Sequence, residues 1–171
     1  PVSIDHSRFR SIFGEEASLM VLGINDSSAF HLEPFQAWSQ LASDLRKLEG
    51  VEGVVSISDL MDLKVNEEAE KFEFFPLVDT IPTTQAEVDS IQSRLADLPV
   101  YDGLIMNRES GAVLMVVSLN KAIMDSEARV KLIEKLDTSV EAFTANTGIE
   151  VHRSGLPYIR TLNAIKIKKE I

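Results

Sequence analysis

The longest apolar run in the chain, Ala112-Val113-Leu114-Met115-Val116-Val117, offers no charged side chain to water at any position. It is far shorter than the ~20 residues a helix needs to cross a bilayer. Its β-branched content suits a strand, and a strand with so little alternation needs cover on both faces or a central place in its sheet. A second run, Ser18-Leu19-Met20-Val21-Leu22-Gly23-Ile24, makes the same demand and is closed by the turn cluster Asn25-Asp26-Ser27-Ser28. Any fold for this chain has to bury both runs.

Helical periodicity separates them. Phe35, Trp38, Leu41, Leu45 and Leu48 recur at three- and four-residue steps behind Pro34, with Gly50 as the stop. Val51 to Ser58 then reads as a second, more polar strand. Between Asp59 and Thr83 the pattern weakens, and we expect a long, partly helical excursion with a lip of aromatic residues, Phe72, Phe74 and Phe75. Thr84-Gln85-Ala86-Glu87 matches a capping box, and Val88, Ile91, Leu95 and Leu98 give the next helix one apolar stripe, ended by Pro99. Leu104–Arg108 and Ala112–Leu119 are expected to form a hairpin through Glu109-Ser110-Gly111. Asp125 or Ser126 is expected to cap a long helix carrying Val130, Ile133, Leu136, Val140 and Phe143, which Gly148 stops. Ile149 to Arg153 reads as a short alternating strand. Ser154-Gly155-Leu156-Pro157 breaks the chain before a last helix toward Ile171.

With the excursion set aside, the order is strand, helix, strand, strand, helix, strand. This predicts an α+β chain with a ferredoxin-like βαββαβ split sandwich and a helical/hairpin insertion after the second strand. In that arrangement the first and third strands are central, and here these are the two pure apolar runs. The first strand then enters, and the fourth leaves, at the same edge. The chain also opens on Pro1 and breaks off within the pattern Lys166-Ile167-Lys168-Lys169-Glu170-Ile171, so we expect a domain excised from a larger protein.

Chemistry is harder to find. The formal net charge of -10 argues against a nucleic-acid partner and repels anionic headgroups at long range. The absence of cysteine removes disulfides, thiolate nucleophiles and Cys-based zinc sites. His6, His31 and His152 have no ligand-like spacing, and no phosphate-loop, dinucleotide or nucleophile-elbow motif occurs. The carboxylate pairs Glu15-Glu16, Asp59 with Asp62, and Glu67-Glu68 read as solvated surface in so acidic a chain. We therefore expect no catalytic residue, metal or cofactor. Phe72, Phe74 and Phe75 form either an exposed lip for a greasy ligand or, as the stronger expectation, a small core of the excursion itself.

Four segments in order carry a family resemblance. They are Phe13-Gly14, the stretch from Leu48 to Leu60 that contains Gly53, Val54 and Ser56, the Gly111 hairpin, and Ser154-Gly155-Leu156-Pro157-Tyr158-Ile159-Arg160-Thr161. Together they resemble the first large loop of RND-superfamily exporters, of the MmpL-like or patched-like branch. The resemblance implies an approach segment over 1–16 from one membrane helix, a porter domain over 17–154 with its insertion at about 59–103, and a helix over 155–171 leading to the next membrane helix. It also implies an extracytoplasmic place on the cytoplasmic membrane, a hydrophobic or lipid-like substrate, and partnership with the transmembrane domain of the same polypeptide. A second homologous loop or a homo-oligomer would complete the assembly. Phe13, Gly14, Gly53, Val54, Ser56, Gly155, Pro157 and Arg160 would be structural positions. The rival readings are an ACT-like regulatory module that senses a small metabolite, and a small enzyme on the same sheet.

Overall fold

A computed structural model describes residues 18–170. The protein is α+β, with two antiparallel sheets. The main sheet is built from β1 (Leu19–Ile24), β2 (Val51–Val55), β5 (Val113–Leu119) and β6 (His152–Ser154), in the order β2-β5-β1-β6. The two apolar runs are thus its central strands. Their register pairs Met20 with Val117, Leu22 with Met115 and Ile24 with Val113, so all six share one face. None of the six is more than 1% exposed.

Two long helices supply most of the cover. Helix α1 (Leu32–Arg46) buries Phe35, Trp38, Leu41 and Leu45, and α4 (Ala128–Thr147) buries Ile133, Leu136, Val140 and Phe143. Trp38 meets Phe143 edge-on at 5.3 Å between ring centroids, which joins the two helices. Gly148 ends α4 in the left-handed region at φ 74°, where most side chains are disfavoured. Thr84 and Glu87 form the expected capping box on α2 (Gln85–Ala96).

Elsewhere the chain departs from expectation. The segment Leu104–Arg108 is not a strand. The N–H groups of Leu104, Ile105 and Met106 all turn back on the carbonyl of Tyr101, and Asp102 accepts the Arg108 N–H, so the backbone coils. What remains of the hairpin is a single bridge between Met106 and Val113. The excursion after Asp59 is not helical either. It is a second antiparallel ladder, β3 (Met61–Asn66) with β4 (Lys71–Pro76), followed by α2. A short unexpected helix, α3 (Lys121–Met124), precedes α4. The residue before α4 is Glu127, so the cap lies later than Asp125 or Ser126, although the Ser126 hydroxyl still accepts the Ala128 N–H. Strand β6 begins later than the alternation suggested, while Ile149 and Val151 are buried. Phe13 and Gly14 lie outside the described residues.

The last helix, α5 (Leu156–Glu170), leaves β6 through Gly155. Strands β1 and β6 are antiparallel neighbours, with Val21 opposite Ser154, so the chain enters β1 beside the point where it leaves β6. Gly155 makes this possible. Its φ is 119°, and a Cβ there would lie 2.5 Å from the Leu19 carbonyl oxygen. Replacing Gly155 with Ala adds a backbone clash to a strained φ. Gly155→Ala is expected to lower stability by about 3 kcal/mol or more, read from the denaturant midpoint.

Candidate functional site

The β3–β4 ladder stands out from the main sheet as a two-stranded ribbon. Six residues per strand give it a length of about 20 Å. Its register pairs Met61 with Pro76 and Val65 with Phe72, and Phe74 lies two residues from Phe72. Cross-strand partners and alternate residues point the same way, so Met61, Val65, Phe72, Phe74 and Pro76 make one apolar face. That face meets solvent. Phe72 and Phe74 are each 68% exposed, Val65 61% and Met61 43%. The opposite face carries Asp62, Lys64, Glu73 and Phe75, with the Lys64 ammonium 5.6 Å from the Phe75 ring centre. The expectation that Phe72, Phe74 and Phe75 pack into a small core is therefore overturned. A two-stranded ribbon has a single layer, and no described element covers its apolar face.

The ribbon is held at its root and shaped at its tip. Leu60 and Leu77 are buried in the core, and the Leu77 N–H donates to the Leu60 carbonyl at 2.8 Å. The Tyr101 hydroxyl donates to the Met61 carbonyl at 2.7 Å and accepts the Met61 N–H at 3.2 Å. Arg94, on α2, donates to the Leu77 carbonyl and faces Asp62 at 3.9 Å. At the far end the Asn66 carboxamide oxygen accepts the N–H groups of Glu68 and Ala69, which closes an acidic turn.

The remaining anticipated positions are spread over the frame. Gly53 lies on the edge strand β2, at a register irregularity against β5, and Val54 beside it is buried. Ser56 is fully buried, and its N–H and hydroxyl both donate to Asp59, whose carboxylate also receives Arg46 from the end of α1. That knot is structural. Pro157 is buried in the first turn of α5, and Arg160 is exposed on it. The sequence reading missed Met61 and Val65 as members of the apolar face. The signal was the period-two spacing of Met61, Leu63 and Val65, diluted by Asp62 and Lys64.

A second cluster ties β6 to α4, with Tyr158 of α5 beside it. Asp137 of α4 and Arg153 of β6 form an ion pair at 2.7 Å. Burial pushes the Asp137 carboxyl above its ordinary value against the pull of Arg153, and burial together with the Asp137 charge raises the Tyr158 phenol. Across α5, Thr161 is buried and its hydroxyl donates to the Pro157 carbonyl at 2.8 Å. A groove of about 940 Å³ also runs between α1 and α4, lined by Ala37, Gln40, Ser43, Ser139, Ala142 and Asn146 among others. Among the described residues no three His, Asp or Glu side chains converge as a metal site requires, and no helix is long and apolar enough to cross a membrane.

No protein-family model matches this chain, and no curated protein matches it. An exposed apolar ribbon on a rooted stem presents a surface for greasy contact, and the ion pair fastens the short strand β6 to α4.

Two measurements probe these contacts. Tyr101→Phe removes both bonds to Met61 and is expected to cost only about 1 kcal/mol globally. Amide exchange should nevertheless quicken along β3 and β4 and stay unchanged along β1 and β5. Asp137→Asn is expected to cost less than about 1 kcal/mol at neutral pH, because burial of the ionised carboxylate offsets its attraction to Arg153. Because the folded carboxyl titrates above its ordinary 3.8, the native state holds more protons than the unfolded chain in the window between the two values. Its contribution to stability is full below 3.8 and is lost as pH rises through the folded value. The gap between wild type and variant should widen as the pH falls toward that limit, as followed by urea melts.

Proposed function

We propose that this chain is a non-catalytic porter domain of a proton-driven RND-type exporter, lying on the extracytoplasmic side of the cytoplasmic membrane. Its role is to take up a hydrophobic or lipid-like substrate and pass it on by changing posture. The observation that carries the proposal is the uncovered apolar face of Met61, Val65, Phe72 and Phe74.

The size of that face supports a small, weakly held ligand. About 20 Å of a ribbon roughly 10 Å wide offers on the order of 200 Å². A stable protein interface buries about 800 Å² on each partner, four times as much. At ~25 cal/mol per Å², full burial of the face is worth about 5 kcal/mol before the cost of association. Contacts of that strength are released readily, as a transport step requires.

The main sheet supports the reading in a second way. We take its β2-β5-β1-β6 order as the ferredoxin-like split sandwich, with the insertion contributing the ribbon and α2. Entry to β1 and exit from β6 lie side by side, the layout a domain needs between two consecutive membrane helices. The transmembrane domain of the same polypeptide would be the obligate partner. A homologous loop or a second copy would face the ribbon.

Phe72→Ser combined with Phe74→Ser tests the surface. Both rings face solvent, so the melting temperature is expected to hold. Affinity for the uncharged apolar probe N-phenyl-1-naphthylamine should fall at least about tenfold. Unchanged probe binding would remove the ribbon as the substrate surface. The exporter reading has its own check in the gene: apolar spans of about twenty residues should flank this chain on both sides, and their absence overturns it.

A further inference from the structure

The chain has a second exposed apolar surface, on α5, and its charge is opposite to that of the rest of the protein. Pro157 and Thr161 mark the buried side of this helix. On the other side Leu156, Ile159, Asn163, Ile167 and Glu170 follow at three- and four-residue steps, and the three apolar members are 52%, 49% and 58% exposed. Arg160 and Lys166 flank that line, and Lys168 and Lys169 occupy the last turn. Four basic residues stand here against the single acidic Glu170, in a chain whose formal net charge is -10.

We propose that the outer face of α5 lies on an anionic membrane surface, with Leu156, Ile159 and Ile167 entering the headgroup boundary and Arg160 and Lys166 reaching lipid phosphates on either side. A helix with an apolar line between two basic flanks matches such a boundary, because long basic side chains extend their charge to the headgroups while their stems lie along apolar surface. A nucleic-acid backbone would satisfy the charges but leave the three apolar side chains without a role. The charge of the whole chain repels anionic lipid at long range. Within about a Debye length, ~10 Å, the local charge decides, and repulsion of the acidic remainder turns α5 toward the surface. Each Lys or Arg near such a surface contributes about 1 kcal/mol, or roughly fivefold in partition. The inference rests on α5 alone and stands or falls separately from the ribbon as a substrate surface.

The test is co-sedimentation of the full chain with vesicles of phosphatidylcholine alone and of phosphatidylcholine mixed with phosphatidylglycerol, at low and high salt. Binding is expected only to the anionic vesicles and should weaken with salt. Arg160→Gln with Lys166→Gln should lower it more than about tenfold. Ile159→Ser with Ile167→Ser should also lower it, while Lys131→Gln with Lys135→Gln, which removes the same charge from exposed positions of α4, should leave it unchanged. The proposal is overturned by equal binding to neutral vesicles, by no binding, or by an equal loss in the α4 pair. It is likewise overturned if sedimentation of the protein alone reveals a dimer that the α5 variants dissolve, since the face then belongs to a second copy.

Discussion

The ladder between β1 and β5 sets Met20, Leu22 and Ile24 opposite Val117, Met115 and Val113, and none of these side chains reaches water. Once this ladder forms, its apolar face has to be covered, and α1 and α4 answer with stripes of matching period. The helices meet each other through Trp38 and Phe143, so the layer is one packed unit. Strands β2 and β6 then occupy the edges, where partial exposure tolerates their polar residues. The ribbon and α5 are peripheral to this core, and each presents apolar side chains that the core does not use.

Sequence reasoning succeeded where burial dictates residue type. The central strands, both long helices, the Thr84–Glu87 capping box and the Gly148 stop follow from local pattern because core packing and local chemistry agree. It failed where local turn hydrogen bonds override a strand-like composition. Nothing in Leu104 to Arg108 announces that three successive N–H groups will turn to Tyr101. The ribbon was hidden for a different reason. Its strands alternate, but the alternation reports a face turned to water, and pattern alone cannot tell an uncovered apolar face from a covered one. The anchoring of the ribbon by Tyr101 and Arg94 spans long stretches of chain and left no local mark.

The two exposed apolar surfaces differ in a way that bears on use. The ribbon ends in an acidic turn of Glu67, Glu68 and Glu70, whereas α5 ends in Lys168 and Lys169. A protein that holds both keeps its greasy surfaces in unlike electrostatic settings, so a single partner chemistry does not satisfy both. Under the proposed function one surface handles cargo and the other sets the posture of the domain. The Asp137–Arg153 pair fastens β6, the strand from which α5 departs, to α4.

The seam where Gly155 passes over Leu19 also determines how the domain responds to pulling. Strands β1 and β6 are antiparallel, and the chain arrives at one and departs from the other at the same end. Tension applied to those two segments loads the ladder from that end, so its hydrogen bonds break in succession instead of sharing the load in shear. With three paired positions, β6 peels first, taking the root of α5 with it, while the β1–β5 ladder stays closed. A modest tug on the chain is therefore converted into release of the final helix, leaving the core intact to recapture it.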